Sequence, residues 1–180
     1  EIQSKTNINC SGHGLWFAEA GTLSPVEYLS KLMNGQQLIK NQKVAQIEFL
    51  NDEWILYSER KREISRLDVL IITAALGSNR FACTRHIPLI GLGGQLSLAN
   101  PTSQSLALRA TILGQSYITP ACGNMHAVGS THIRGNQIYD SIAFNPTKEG
   151  HRQNYKNLEP AIQTLLGKDD ICNWKGYTGV

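Results

Sequence analysis

A chain of 180 residues with 41% hydrophobic and 17% charged side chains has enough apolar material for a real core, which excludes a disordered or low-complexity polypeptide. Its net charge of +3 rests on scattered cations, and the run Arg60-Lys61-Arg62, set between Glu59 and Glu63, reads as a solvated turn rather than a nucleic-acid patch. No apolar run reaches the roughly 18 residues a membrane span needs, and the opening Glu1-Ile2-Gln3-Ser4 has no signal-peptide character, so a cytoplasmic location is expected. Cys10, Cys83, Cys122 and Cys172 lie far apart without a C-x-x-C, which favours reduced core thiols over a zinc site or a redox pair.

Residues 1–10 read as a polar lead-in and Leu15-Trp16-Phe17-Ala18 as a short strand. A helix is expected over 24–34: Ser24 can cap it, Pro25 suits its first turn, Glu27 completes a capping box, and Asn34-Gly35 stops it. Leu29, Leu32 and Met33 fall on one face of that helix. The β-prone runs Val44–Phe49 and Trp54–Tyr57, joined through Asn51-Asp52, predict a hairpin over 44–58. The run Leu67 to Gly77 is the most informative: its centre, Asp68–Thr73, is apolar at successive positions and predicts a strand covered on both faces in a layered α/β unit. It ends in Ala74-Ala75-Leu76-Gly77, small residues that suit close approach of a ligand. No G-x-G-x-x-G turn precedes it, so a nucleotide-binding unit here would lack its phosphate-holding end, and the chain reads as an excised piece of a larger protein.

Beyond Pro88 short segments, Gly94–Leu98, Leu108–Leu113, Tyr117–Thr119 and Met125–Ser130, are separated by Gly, Asn and Pro and read as antiparallel strands. Asn145-Pro146 opens a helical region in which Tyr155, Leu158, Ile162 and Leu165 share a face, Pro160 breaks or kinks the helix and Gly167 ends it. No internal repeat is present.

Four groupings invite chemistry. Gly91-Leu92-Gly93-Gly94-Gln95 lacks the spacing and following helix of a phosphate-cradling loop, so a close-approach loop entering a strand is the better reading. Cys122, His126 and His132 suggest metal ligands, with 126 and 132 on the same side of one β segment, but no carboxylate or cysteine pair completes a set and no metal site is assigned. Ser130, His132 and Asp140 contain the residue types of a hydrolytic triad without a nucleophile elbow, and that reading is rejected. Tyr117, Arg134 and Tyr139 are candidates for a substrate pocket, because a phenol or guanidinium beside a sheet can orient a carboxylate or stack on a ring; surface or core roles stand open for each.

Several separated segments resemble one family. Leu113-Gly114-Gln115-Ser116-Tyr117-Ile118-Thr119-Pro120, Gly129-Ser130-Thr131-His132-Ile133-Arg134-Gly135 and Glu149-Gly150-His151-Arg152-Gln153-Asn154 are similar, in order and spacing, to the FAD-dependent oxidoreductase half of the bacterial bifunctional enzyme that makes 5-methylaminomethyl-2-thiouridine at the tRNA wobble position. Ala20-Gly21-Thr22-Leu23-Ser24-Pro25 resembles its Gly-Gly-Trp-x-x-Pro segment, Asp68 to Gly77 its D-x-V-V-L-A-x-G strand, and Ile87-Pro88 through Gly94-Gln95-Leu96-Ser97 its L-P-x(5)-G-Q-[VL]-S. The sequence departs from the pattern at Thr22, at Gln115 and at His132-Ile133, and it stops at Gly179-Val180 where the family continues toward the flavin.

The resemblance implies an α+β fold: a D-amino-acid-oxidase-like substrate domain with an antiparallel sheet, plus part of an FAD-binding α/β domain. Residues 1–86 would form the partial FAD-binding region and residues 87–180 the antiparallel substrate region with its C-terminal helical segment. It assigns Val44, Ala74, Ala75, Gly77, Gly94 and Gln95 to cofactor binding and Tyr117, His132 and Arg134 to substrate binding, with no catalytic acid or base and no metal ligand. The implied chemistry is oxidative removal of the carboxymethyl group from carboxymethylaminomethyluridine, with FAD in the parent protein performing the difficult step and the protein holding and shielding the amine. The implied partners are tRNA with a modified wobble uridine and a fused or associated methyltransferase domain, with no membrane partner. The fragment by itself is expected to be inactive and to hold little or no FAD. Two alternatives stand beside this reading: a glycine- or sarcosine-oxidase-like enzyme acting on small amines, and a non-catalytic module that binds tRNA or protein.

Overall fold

The computed structural model describes residues 2–10, 13–134, 145–168 and 170–179. The chain divides into two compact units, one made of residues 1–24 with 92–180 and the other of residues 25–91. The division expected from the sequence after residue 86 is one of function, whereas by compactness the chain parts after residues 24 and 91. Helix α1 (Ile2–Thr6) opens the larger unit and delivers Ile8 into its core, where Ile8 is 5% exposed. The short strand expected at Leu15–Ala18 does not form; Leu15 and Phe17 are exposed, no ladder pairs with them, and Lys5 Nζ lies 5.7 Å from the Trp16 ring centroid.

In the unit 25–91, α2 (Pro25–Leu32) begins at the expected proline and ends two residues short of Asn34, in a turn closed by Gly35 at φ +78°. Its apolar stripe of Leu29, Leu32 and Met33 stays exposed. Strands β1 (Val44–Leu50), β2 (Glu53–Ser58) and β3 (Glu63–Leu67) form an antiparallel meander. Asn51 and Asp52 take φ values of +52° and +64°, the paired left-handed conformations of a type I′ turn, which is why those two residue types joined the hairpin so legibly. Ile55 is buried on the central strand, and Arg66 reaches both Glu63 (2.9 Å) and Glu53 (3.2 Å) on its solvent side.

The strand expected at Asp68–Thr73 is absent. These residues run irregularly after β3 into a 3₁₀ helix at Ala75–Arg80, with Val69 76% and Ile71 81% exposed. Strand geometry is sustained by ladder partners on neighbouring chains, and no described residue pairs with this segment.

The larger unit is a six-stranded sheet of β4 (Leu92–Ala99), β5 (Ile112–Leu113), β6 (Tyr117–Ile118), β7 (His126–Gly129), β8 (Ile133–Arg134) and β9 (Lys175–Gly179), all antiparallel. The strand expected over Leu108–Leu113 survives only at its last two residues. Along β4, Gly93, Gln95, Ser97 and Ala99 are buried while the intervening positions are more open, the period of two that puts alternate side chains on opposite faces. The buried face is covered by α3 (Lys148–Lys156) and α4 (Pro160–Leu166). Tyr155, Leu158, Ile162 and Leu166 pack there with Ala99, Ile118, Val128 and Trp174, each large aliphatic contributing about 1.5–3 kcal/mol over its exposed state. Pro160 starts α4 and Gly167, at φ +71°, ends it, as expected; Leu166 takes the core place while Leu165 lies partly buried beside it. The fold is mixed α+β with antiparallel sheets.

Candidate functional site

Two features of the larger unit concentrate polar and small residues at β4, one on each of its faces. On the covered face, Gln95, 1% exposed, points into the start of α3. Its Oε1 accepts from Thr147 N (2.8 Å), and its Nε2 donates to Thr147 O (2.9 Å) and to His151 Nδ1 (3.1 Å). Ser97 Oγ sits 2.8 Å from the same Nδ1, and Asn154 Nδ2 donates to Ser97 Oγ (2.9 Å) and to Gln95 O (2.8 Å). Because the amide can only donate at Nε2, Nδ1 of His151 is an acceptor and carries no proton. Burial pushes the His151 pKa below its usual range, in the same sense. A Cβ at Gly150 would lie 2.5 Å from Cδ of Gln95, so this glycine in α3 is required by close approach.

Gln95, assigned to cofactor binding by resemblance, thus has its side chain committed to holding α3 against the sheet. Ser97, His151 and Asn154 stand in segments that carry the family resemblance, but no site role was assigned to them from the sequence. Their signal was present: His151, Asn154 and Tyr155 are spaced i, i+3, i+4 on the inward face of an amphipathic helix, where polar residues need partners.

The opposite face of β4 carries an open groove of about 480 Å³, lined among others by Leu92, Gly94, Leu96, His132 and Tyr177. Gly94 lines it, and close packing requires glycine both there and at Gly129 on the same face. A Cβ at Gly94 would fall 2.8 Å from Thr131 O, and one at Gly129 would fall 3.2 Å from Leu96 Cδ1. The register sets Tyr117 opposite Gly129 and Tyr177 opposite Leu96, so both phenols share this face. Tyr117 is half-buried, which raises its phenol pKa, whereas Tyr177 is 67% exposed. Of the expected substrate residues, His132 lies in the groove with Gly94, Tyr117 flanks it two strands from β4, and Arg134 sits in β8 opposite Leu92. Tyr139 and Asp140 lie outside the described residues.

His126 and His132 do not share a face. His126 is fully buried, its Nδ1 donating to Thr119 O (2.8 Å) and its Nε2 accepting from Ser105 Oγ (2.9 Å), and burial lowers its pKa against the opposing effect of the Thr119 carbonyl. Between the two histidines the ladder is interrupted at residues 130–132, where Gln95 N donates to the Thr131 hydroxyl (3.0 Å) instead of to a backbone carbonyl, so counting by twos fails. Cys122 is exposed beside the Gly123-Asn124 turn, whose φ values are +57° and +63°. Among the described residues no group of three His, Cys, Asp or Glu side chains is placed to hold a metal ion. The four cysteines are free; Cys10 is half-buried and packs against the core, with its thiol pKa raised by burial and then by Glu159, while Cys83 and Cys172 are half-buried outside it.

In the unit 25–91, Val44 is half-buried at the start of β1, Ala74 and Ala75 are exposed, and Gly77 is half-buried within the 3₁₀ helix. Ala75 has φ +48°, and a Cβ at Gly77 would touch only the Ala74 Cβ, at 3.6 Å. None of the described helices is long and apolar enough to cross a membrane.

No family model matches the chain. It is similar to proteins named tRNA 5-methylaminomethyl-2-thiouridine biosynthesis bifunctional protein MnmC. The one from Pseudomonas fluorescens is 24% identical over 93% of this chain and 25% of its own length. The one from Saccharophagus degradans is 24% identical over 99% of this chain and 25% of its own length. The chain therefore spans about a quarter of the length of the curated relatives it matches. Among solved structures it is similar in fold to glycine oxidase from Geobacillus kaustophilus, with a TM-score of 0.56 and 16% identity over 79% of this chain and 36% of that one. The family resemblance drawn from the sequence is thus matched by the curated relatives, and the glycine oxidase structure matches in fold alone.

Proposed function

We infer that this chain is the substrate-sheet portion of an FAD-dependent oxidoreductase with a D-amino-acid-oxidase-like fold, which removes the carboxymethyl group from carboxymethylaminomethyluridine at the tRNA wobble position. The observation that carries the inference is the glycine-lined groove on the open face of β4, in a chain whose sequence follows the bifunctional tRNA-modifying proteins along nearly its whole length. The groove has room for a flat base and its side arm, His132 and Tyr177 line it with an imidazole and a phenol, and Tyr117 shares its face two strands away. Arg134 is assigned to the substrate through its place on β8.

The exposed or half-buried backbone at residues 74, 75 and 77 supports assigning the cofactor there. The open backbone of Ala74, Ala75 and Gly77, with Val44, would hold a dinucleotide, because longer side chains there would collide with it. Bound flavin would supply the acceptor for a hydride from the carbon beside the amine. The chain's own work is to hold the amine in the groove and keep water away from it. Gln95 contributes by fixing α3 behind the sheet. The tRNA substrate and a methyltransferase domain in the same protein belong to this reading, as does a soluble, cytoplasmic setting.

The test is turnover by the full-length protein on tRNA carrying carboxymethylaminomethyluridine, beside free glycine and sarcosine. Conversion of the tRNA, lost in Tyr117→Ala and His132→Ala variants that keep their circular-dichroism spectra, is the expected result. Turnover of the free amines alone would replace this reading by a small-amine oxidase. A flavin-free full-length protein that still binds tRNA would replace it by a binding module.

A further inference from the structure

On the outer face of α3, Lys148, Arg152 and Lys156 follow one another at i, i+4 and i+8, all exposed, covering roughly 12 Å of helix axis. Lys175 on β9, far away in the sequence, joins Lys148 in lining a second open cleft of about 540 Å³. Among the described residues Glu149 is the one carboxylate paired with this stripe, to Arg152 at 3.3 Å, while Asp170 is engaged by the amides of Asn100 and Asn173. No acidic partner neutralises Lys148, Lys156 or Lys175 among the described residues. Four exposed cations against the two carboxylates Glu149 and Asp170 leave this surface with an excess of positive charge that favours an anionic partner.

The cleft also has a direction. Tyr177 lines both it and the glycine-lined groove, so the cationic stripe runs around the β9 edge and ends at an exposed phenol beside Gly94 and His132. Cations in file that lead to an exposed aromatic ring are the elements by which proteins grip a single-stranded nucleic acid: lysines and arginines for the phosphates, a ring for a base. Resting on the reading above, we propose that Lys148, Arg152, Lys156 and Lys175 form a track for the RNA phosphodiester backbone, and that Tyr177 stacks on the nucleotide that this track delivers into the groove.

The test measures binding of fluorescently labelled, unmodified tRNA to the 180-residue chain by anisotropy, between about 50 and about 200 mM salt. The Lys148→Ala/Lys175→Ala variant is expected to weaken binding at least about tenfold and to make the salt slope shallower by roughly 1.5 to 2, the value for two lost phosphate contacts. Lys148→Glu/Lys175→Glu should do more, and Lys40→Glu, a charge reversal in the other unit, should change affinity less than about twofold. Tyr177→Leu should weaken binding with the salt slope unchanged, which separates stacking from charge. The track is overturned if the lysine variants bind like the parent chain, if Lys40→Glu is equally damaging, if the chain binds no tRNA, or if it prefers polyglutamate to tRNA. Failure of the functional reading looks different: the full-length protein would not turn over modified tRNA while the lysine-dependent anisotropy remained.

Discussion

Replacing Gln95 by Leu shortens the side chain by one bond, leaves an apolar branch and removes every polar contact that the amide makes. Three bonds of 3.1 Å or less disappear, to Thr147 N at 2.8 Å, to Thr147 O at 2.9 Å and to His151 Nδ1 at 3.1 Å, together with a longer one from Thr147 Oγ1 at 3.3 Å. At a net value near 1 kcal/mol for each of the three shorter bonds the sum is about 3 kcal/mol, and rehydration of the exposed Thr147 backbone brings the expected loss to about 2–3 kcal/mol. Ser97→Ala removes the other donor to His151, together with an acceptor for Asn154, at about 1–2 kcal/mol. Each single variant leaves His151 Nδ1 with one donor; the double variant leaves it buried with none, so the two losses should exceed their sum by at least about 0.5 kcal/mol. Urea unfolding followed by tryptophan fluorescence reads this out, since Trp174 lies edge-on to His151 with ring centroids 6.4 Å apart. A Gln95→Leu protein within about 0.5 kcal/mol of the parent, or a strictly additive double variant, would refute the claim that this network holds α3 to the sheet.

Three further outcomes follow from the same geometry. His126 and His151 are both held neutral, chiefly by burial, so below about pH 6.5 the unfolded chain binds more protons than the folded one. Their contribution is complete above that pH and is lost as the pH falls toward their lowered folded values; the urea midpoint should drop between about pH 7 and about pH 5.5, less so in His151→Gln, and a flat or rising midpoint contradicts this. Thr147→Ala removes the side-chain cap that accepts from Gly150 N at 3.0 Å and should cost about 1 kcal/mol, with Thr147→Ser close to the parent in the same unfolding assay. Gly94→Ala places a methyl 2.8 Å from Thr131 O and should cost about 1–3 kcal/mol, whereas Gly21→Ala, with nothing within 4 Å, should stay within about 0.5 kcal/mol; equal melting temperatures for the two would remove the steric account of Gly94.

Sequence alone determined those features whose causes lie within a few residues. Asn51-Asp52 and Gly123-Asn124 accept left-handed backbone and so make turns wherever they occur, and Pro160 and Gly167 bound a helix for the same local reason. The family resemblance belongs here too, since it rests on the order of short motifs. Tertiary structure alone decided the status of Asp68–Thr73, because an apolar run becomes a strand only through partners, and none of the described residues supplies one. It also decided the faces of His126 and His132, which a three-residue interruption of the ladder separates, and the use of Gln95, whose amide is bound by residues 52 and 56 positions away. Cations that look scattered along the chain, at 148, 152, 156 and 175, become neighbours because a helical period and a strand pairing bring them to one surface. Hydrogen-bond partners, face and charge density are properties of proximity in space, and sequence order carries them only where the contact is local.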